Sequence, residues 1–429
     1  MKQRIENKIH YGKSNIIIYL STMDELLLKE ALNDRDRWTR ITPSGSEKFE
    51  PLLEKIERID SKKCIITPGP YVGNVKLHDT DLLFLPPTWL AGLDSTHLIY
   101  MMIKSMPNEA KAAYLPEFLT ENRTSVSELN EPIYSYFVDE LFKAAKKGLL
   151  KNYEHKHIIS TKLRGRFDFP RQVNLNIRGK ALFATEQQIF SVNNDVNQLL
   201  FLANKIVLEE SNINRTIEKA RQIKRLMPNF PRTKIFDFKR IVLPRRGYHF
   251  KLCIELAKLI VSGRSISYVG ELEKTFSMVI NLFDLFENYI YSELSLRDMN
   301  YDNQYHLPLT DNSLPGTLWA NRKVYPDIVY SSNNNNKIVI DTKLKRISNF
   351  GPQIEDIYQV FFYSTMLDLK KGVLIYPSNS NTEQVFSFPL SHNGINKIEI
   401  IAYSLPIVMS VEQMSREIDK LHEFLLKTP

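Results

Sequence analysis

Cysteines and long apolar runs are scarce in this chain of 429 residues. The two cysteines, Cys64 and Cys253, lie far apart in apolar surroundings, which excludes a disulfide framework and a cysteine-based zinc cluster. No segment approaches the roughly 18 consecutive apolar residues that a membrane-spanning helix needs. The N-terminal segment has basic residues but only a short apolar run and no small-residue cleavage site, so we expect no secretory signal. These absences predict a cytoplasmic protein without a membrane partner.

A phosphate-binding loop of the form G-x-x-x-x-G-K-[ST] is also missing from the sequence. Because such a loop cradles the phosphates of ATP or GTP, any nucleotide hydrolysis would have to come from another chain. Acidic residues are outnumbered, with 49 Asp and Glu against 57 Lys and Arg, and the formal net charge is +8. Basic side chains that replace condensed counterions favour binding to a polyanion such as DNA, although many basic proteins do not bind nucleic acid.

The length predicts more than one domain. Short β-branched segments separated by glycine and proline predict a β-rich N-terminal domain over residues 1–105. A helical pattern over 132–153 and a helix that begins near Asp195 predict a mostly helical connector over residues 106–265. The remaining residues, 266–429, form the third predicted domain.

The third predicted domain has the sharpest order of helices and strands. We predict a helix over 271–297, strands near 304–308, 322–330 and 337–345, a helix over 353–370, strands near 372–377, 384–389 and 397–404, and a helix over 410–427. The succession α-β-β-β-α-β, with additions at the end, indicates an α/β layered fold.

Two carboxylates and a lysine are predicted to meet on the two central strands. Asp327 precedes Asp341 by fourteen residues, and Lys343 follows two residues later. If the loop between the strands centres on 331–336, Asp327 lies opposite position 340 or 341, where directly opposed Cβ atoms are about 4.5–5.5 Å apart. Asp341 and Lys343 share one face of their strand. The aliphatic segment 338–340 is typical of a buried central strand.

Carboxylates this close repel each other unless a cation lies between them. Mg²⁺ takes carboxylate oxygens and keeps waters for a substrate phosphate, while a nearby lysine stabilises the charge that develops on the phosphorus. The arrangement therefore predicts metal-dependent phosphodiester hydrolysis. Each piece alone has an ordinary interpretation, a proline-aspartate turn or an exposed ion pair, and only their combination favours a site.

Two predicted helices flank these strands. Glu287 falls on the apolar stripe of the first helix, where it either binds the same metal or lies at the rim of the apolar face. On the second helix, Asp356, Gln359 and Tyr363 share one side, which either faces DNA or is the solvated side of the helix.

Basic residues elsewhere are candidates for DNA contacts. Lys162, Arg164 and Arg166 alternate along a predicted strand, so they would project from one face and could reach successive phosphates. The alternative is a solvated basic edge that discourages strand pairing. Lys345 and Tyr363 are further candidates for DNA contacts.

In this order, these residues resemble the PD-(D/E)XK nuclease superfamily. More narrowly, the chain resembles the McrC family, the endonuclease subunit of McrBC-type 5-methylcytosine-dependent restriction systems. The segments that carry this resemblance span about residues 65–380 and include 70–77, 148–153, 163–169, 193–200, 285–290, 325–330, 338–345, 356–363 and 372–377.

The resemblance implies a C-terminal PD-(D/E)XK core with Asp327, Asp341 and Glu287 as Mg²⁺ ligands, Lys343 as the catalytic lysine and Gln359 as a further catalytic residue. It also implies that an McrB-like AAA+ GTPase hexamer is the partner, that the N-terminal domain docks into its ring, and that the substrate is methylated double-stranded DNA. Two alternatives stay open. One is a sequence-specific restriction subunit with an McrB-like motor, and the other is a non-cleaving regulatory subunit that assembles and stimulates the GTPase.

Overall fold

The computed structural model has a mixed α/β architecture, as predicted, with several sheets among its helices. The chain divides into two compact units, the first formed by Met1–Ile133 with Ser262–Pro429 and the second by Tyr134–Val261. Within the described residues, no helix combines the length and the hydrophobicity needed to cross a membrane. The structure describes residues 5–33, 39–41, 47–105, 130–228, 230, 241, 243–265, 278–303, 305, 307–308, 323–331, 337–348, 351–380, 384–392 and 396–427.

The N-terminal part of the first unit is rich in short strands, as its β-branched segments predict. Its elements are β1 (Ile5–His10), β2 (Ile16–Tyr19), α1 (Thr22–Asn33), β3 (Thr39–Ile41), β4 (Glu47–Phe49), β5 (Leu53–Arg58), β6 (Lys63–Pro68), β7 (Tyr71–Lys76), β8 (Thr80–Leu85), a 3₁₀ turn (Thr88–Leu90) and α2 (Ser95–Ser105). The strands β2, β6 and β5 form one sheet, and β1 pairs with β8 next to β7. Because inward side chains alternate along the strands, Ile9, Ile18, Ile66 and Phe84 meet in one buried core.

The second unit combines helices with a small antiparallel sheet. Its elements are α3 (Asn130–Lys146), β9 (Asn152–Ser160), β10 (Arg166–Phe167), α4 (Phe169–Ile177), β11 (Phe183–Ser191), α5 (Asp195–Glu210), α6 (Asn214–Leu226), a 3₁₀ segment (Arg245–Phe250) and α7 (Lys251–Ser265). The sheet has the order β10-β11-β9. The start of α5 is as predicted, because the Asn194 side chain caps it by accepting a hydrogen bond from the Asn197 backbone N–H at 3.0 Å.

The C-terminal part of the first unit contains the largest sheet. Its elements are β12 (Met278–Asn281), α8 (Leu282–Arg297), β13 (Tyr301–Asp302), β14 (Leu307–Pro308), β15 (Lys323–Val324), β16 (Ile328–Ser331), β17 (Lys337–Thr342), α9 (Ile354–Met366), β18 (Lys371–Ser378), β19 (Gln384–His392), β20 (Asn396–Pro406) and α10 (Val411–Lys427). Six strands form a sheet in the order β13-β16-β17-β18-β20-β19. The strand β16 is antiparallel to β17, whereas β17 is parallel to β18, so α9 serves as the crossover between them.

The strand β17 lies inside the sheet between β16 and β18, and its side chains are apolar on both faces. Ile338, Val339 and Ile340 are all buried, which suits a strand covered on both sides of the sheet. Its neighbours β16 and β18 satisfy its backbone on both edges. This position carries Asp341, at the end of the strand, into a buried environment.

Several predicted boundaries are wrong, each for a local reason. The predicted helix over 271–297 begins only at Leu282, because Asn281 caps it and the preceding strand β12 pairs with β7; residues 266–277 lie outside the described residues. The helix predicted to reach 153 ends at Lys146, since the chain pairs as β9 soon after. The predicted strand over 322–330 is divided into β15 and β16 on either side of Pro326, which lacks the backbone N–H that a ladder needs.

Candidate active site

Asp327 and Asp341 face each other across two paired strands, as the predicted register requires. Ile328 pairs with Ile340, so Asp327, one residue earlier, lies opposite Asp341. The Thr342 backbone N–H and hydroxyl both donate hydrogen bonds to Asp327 Oδ2, at 2.7 Å and 2.8 Å. Asp327 is therefore held in place by the strand that carries the second carboxylate.

Asp341 is fully buried, is ion-paired with a lysine and accepts a hydrogen bond from an amide. The Lys343 ammonium lies 2.6 Å from Asp341 Oδ2, and Gln359 Nε2 donates to Asp341 Oδ1 at 3.2 Å. The backbone N–H of Lys343 donates to the Ile375 carbonyl of β18 at 2.9 Å, which fixes the chain just beyond β17. The lysine and the buried carboxylate thus form an ion pair at the end of the central strand.

The helix α9 turns its polar side toward this pair. Lys343 Nζ donates to Gln359 Oε1 at 2.9 Å, and Gln359 Nε2 also donates to the Tyr363 hydroxyl at 3.0 Å. Tyr363 is buried, whereas Tyr358 on the opposite side of the helix is exposed. The polar side of α9 is therefore an inner wall of the site, and the interpretation of it as a solvated helix face is wrong.

A cavity of about 320 Å³ opens beside these residues. Glu287 of α8 lines it, which brings the predicted carboxylate of the first helix to the same cavity as Asp327 and Lys343. Its described lining consists of Glu50, Phe283, Phe286, Glu287, Asp327, Thr342, Lys343, Leu344, Lys345, Asp356 and Gln359.

Thr342 and Glu50 were not predicted to have roles at the site, and Asp356 was predicted only to lie on the polar side of its helix. Thr342 bonds Asp327, and only its position between two predicted site residues could have indicated it. Asp356 is buried and accepts hydrogen bonds from Lys345 Nζ at 2.9 Å and from the Tyr376 hydroxyl at 2.8 Å. Glu50 comes from the N-terminal part of the chain and accepts a hydrogen bond from Asn281 at 2.8 Å, a contact with no signal in the sequence pattern.

The electrostatics of the site are those of one buried acid, Asp341, beside a second, half-buried acid, Asp327. Burial and the neighbouring charge of Asp327 raise the pKa of Asp341 well above its ordinary value, and Lys343 only partly offsets this. Burial alone would lower the pKa of Lys343, but the charges of Asp341 and Asp327 raise it above its ordinary value. The lysine therefore stays protonated, while a further cation would favour the ionised form of Asp341.

The donor set fits a hard cation such as Mg²⁺. In the described part of the chain, no group of three His, Cys, Asp or Glu side chains is placed to hold a metal. The two strands therefore offer a metal only two carboxylates, those of Asp327 and Asp341. Mg²⁺ is commonly bound by one or two carboxylates, with waters and substrate phosphate completing its octahedron. A metal-binding role for Glu287, which lines the same cavity, stays a prediction.

The predicted basic strand is mostly a turn. Only Arg166 belongs to a strand, β10, while Lys162 and Arg164 precede it in a loop where Gly165 adopts a φ of +82°. All three basic side chains are exposed. The prediction that they alternate along one strand face is therefore wrong, because the turn at Gly165 interrupts the strand. Their contact with DNA stays a prediction.

A family model for the McrBC 5-methylcytosine restriction system component matches residues 66–377. The chain belongs to this family. The match includes both aspartates, Lys343 and Gln359, so the described cavity lies mainly within the family's own segment. No curated protein matches the chain.

Two solved structures are similar to this member of the McrBC family. One is a half-complex from a tetradecameric assembly of Thermococcus gammatolerans McrB AAA+ hexamers with bound McrC, with 17% identity, a TM-score of 0.59, and coverage of 97% of this chain and 100% of that chain. The other is the Thermococcus gammatolerans McrBC complex, with 16% identity, a TM-score of 0.46, and coverage of 68% and 88%. At 17% identity, the first likeness concerns the fold alone.

Proposed function

We propose that this chain is the Mg²⁺-dependent DNA endonuclease subunit of a modification-dependent restriction complex. The observation that carries the proposal is that Asp327, Lys343 and Gln359 line one cavity, while the buried Asp341 is ion-paired with Lys343 and accepts a hydrogen bond from Gln359. A buried carboxylate with a strongly perturbed pKa beside a lysine is typical of a reactive site. The element order of α8, β13, β16, β17, α9 and β18 supports a PD-(D/E)XK core in the C-terminal domain, residues 266–429.

In the proposed reaction, water attacks the phosphorus of the scissile phosphodiester in double-stranded DNA, the P–O bond to one sugar breaks, and that sugar oxygen leaves as a hydroxyl with a proton from the water. No covalent intermediate forms on the protein. When bound, Mg²⁺ supplies the charge that polarises the phosphate and lowers the pKa of water. Asp327 and Asp341 would hold the metal. The Lys343 ammonium stabilises charge that develops on the phosphate, and Gln359 keeps that ammonium in position through its 2.9 Å hydrogen bond.

We further propose an McrB-like AAA+ GTPase hexamer as the partner. Family membership supports this, together with the similar assembly that contains McrB AAA+ hexamers with bound McrC. The sequence has no phosphate-binding loop of its own, so the GTPase must be another chain. In this proposal, the N-terminal domain over 1–105 docks on the hexamer, and the connector over 106–265 contributes DNA contacts.

The test is cleavage of methylated and unmethylated plasmid by the full chain with an McrB-like partner, Mg²⁺ and GTP. We expect cutting of methylated DNA alone, and its loss in Asp327→Ala, Asp341→Ala and Lys343→Ala variants that still assemble with the GTPase. Retained cutting by either aspartate variant would overturn the proposed site. Equal cutting of both DNAs would favour a sequence-specific subunit, and stimulated GTP hydrolysis without any cutting would favour a regulatory subunit.

A further inference from the structure

The cavity contains two lysines in different environments. Lys343 has a side chain only 18% exposed, and its ammonium is engaged by Asp341 and Gln359. Lys345, two residues later, has a side chain 41% exposed and lines the same cavity. Among the described lining residues these are the two cations, and Lys345 is the more accessible of the two to a phosphate that arrives from solvent.

Lys345 is held in place by two neighbours that leave part of its ammonium available. It donates to Asp356 Oδ1 at 2.9 Å and to Gln353 Oε1 at 3.0 Å. An ammonium has three N–H donors, so in the described part of the chain one donor remains for a ligand. A long lysine side chain that is already fixed loses less conformational freedom when it binds.

Asp356, which accepts the hydrogen bond from Lys345, is itself fixed in position. Its side chain is 5% exposed, and the Tyr376 hydroxyl donates to its second oxygen at 2.8 Å. Tyr376 is itself buried on β18, so the carboxylate is fixed from the core of the sheet. A carboxylate buried this deeply is costly to keep unless both oxygens are bonded, and here both are.

We infer that Lys345 forms a second phosphate-binding subsite at the cavity rim, for a DNA phosphate next to the scissile one, with Asp356 as its positioning residue. This inference rests on the proposed endonuclease function. Besides Lys343, Lys345 and Asp356, the charged side chains of the lining are Glu50, Glu287 and Asp327. These three acids would repel a phosphate, so an exposed cation at the rim is needed to admit the DNA strand. The subsite sets DNA position and affinity, whereas Lys343 acts on the chemistry.

The test measures binding of the full chain to a cytosine-methylated duplex in metal-free buffer, where no cutting occurs, at several salt concentrations. We expect Lys345→Gln to weaken binding about fivefold and to reduce the salt slope, log K against log salt, by about 0.9, the value for one phosphate contact. Asp356→Asn should weaken binding in the same direction with a smaller change in slope, and Lys345→Arg should restore most of the affinity. The matched control is Lys371→Gln, which removes a partly exposed lysine paired with Glu399 outside the cavity.

A parallel cleavage assay with Mg²⁺ and the partner separates this inference from the proposed function. In Lys345→Gln, we expect a raised KM and a kcat close to that of the wild type. If the wild type cuts but Lys345→Gln and Asp356→Asn bind as the Lys371→Gln control does, the subsite is overturned and the endonuclease stands. If nothing cuts but Lys345→Gln still loses affinity and slope, the contact of Lys345 with a DNA phosphate stands and the endonuclease fails. A wild type that neither binds nor cuts overturns both.

Discussion

The cavity next to Asp341 and the small sheet of the second unit contain similar charged residue types in different environments. At the cavity, Asp341 is fully enclosed and is ion-paired with Lys343, which is itself largely buried. Around the sheet of β9, β10 and β11, basic side chains such as Arg164 are exposed. Exposed apolar side chains lie on α4 as well, where Phe169 is 70% exposed and Ile177 is 77% exposed.

This difference separates attraction from reactivity. An exposed guanidinium or ammonium adds to a long-range field that draws in a polyanion, and salt screens it. A buried acid beside a second acid has a shifted pKa and demands a cation, which is what a reactive site needs. We therefore expect substitutions of the buried pair, Asp341 and Lys343, to change chemistry and substitutions of exposed basic residues to change affinity.

The largest effect should come from removing the positive charge of Lys343. Removing one positive charge from the exposed region is the matched comparison. We expect Lys343→Met to lower kcat about a thousandfold, because stabilisation of the developing phosphate charge is lost. Arg164→Gln makes the same change in net charge and should leave kcat at saturating DNA unchanged within about threefold. Single-turnover cleavage measures both. A comparable loss of kcat in the two variants would break the distinction between the regions.

Packing provides the second contrast. A methyl group on Gly372 of β18 would collide with Val360 and would lie 2.6 Å from Ser364 Oγ, both on α9. We expect Gly372→Ala to lower the free energy of unfolding by about 1–3 kcal/mol and to displace Gln359 of the same helix. Ile177→Ala on the exposed helix α4 should change it by less than about 0.5 kcal/mol. Denaturant unfolding measures both, and a wild-type value for Gly372→Ala would show that the helix and sheet are not closely packed there.

The pH dependence of metal binding tests whether burial raises the pKa of Asp341 beside the cavity. Burial and Asp327 raise the pKa of Asp341, so below that pKa its carboxyl carries a proton that a metal must displace. Affinity for Mg²⁺ should therefore rise with pH, level off above the raised pKa, and fall by about tenfold for each pH unit below it. Calorimetry in two buffers of different protonation enthalpy counts the released proton. Binding without proton release in mildly acidic buffer would contradict the prediction.

The smallest effect should come from one exposed basic residue. We expect Arg166→Gln to weaken binding to duplex DNA about fivefold and to reduce the salt slope by about 0.9, with no change in thermal stability. Fluorescence anisotropy at several salt concentrations measures both quantities. An unchanged slope would indicate that Arg166 is part of a solvated edge rather than a DNA contact.

Much of the candidate site could be predicted because it lies on neighbouring strands. The spacing of Asp327 and Asp341 follows from strand pairing alone, and Lys343 shares a face with Asp341 by the two-residue period of a strand. Gln359 could be assigned to one side of its helix from the sequence. Whether that side faces the interior of the protein could not be predicted. Helical periodicity orders the residues around an axis without saying which face the sheet covers.

The misplaced boundaries have a common cause. Residues 278–281 have a helical pattern locally but form β12, because they pair with β7 from the N-terminal part of the chain. The chain after Lys146 likewise forms β9 because β11, some thirty residues later, is available as its partner. Strand formation depends on distant partners that a local pattern does not contain.

The sequence by itself determined the acids, the lysine and their register, because those depend on backbone geometry that is local to one pair of strands. Only the tertiary structure decided that Asp341 is fully buried, that Glu50 reaches the cavity from the N-terminal part, and that Asp356 holds Lys345 at the rim. Burial and charge pairing arise from the packing of elements far apart in the chain. The chemical character of these groups depends on that packing, since it sets their pKa values and their access to solvent.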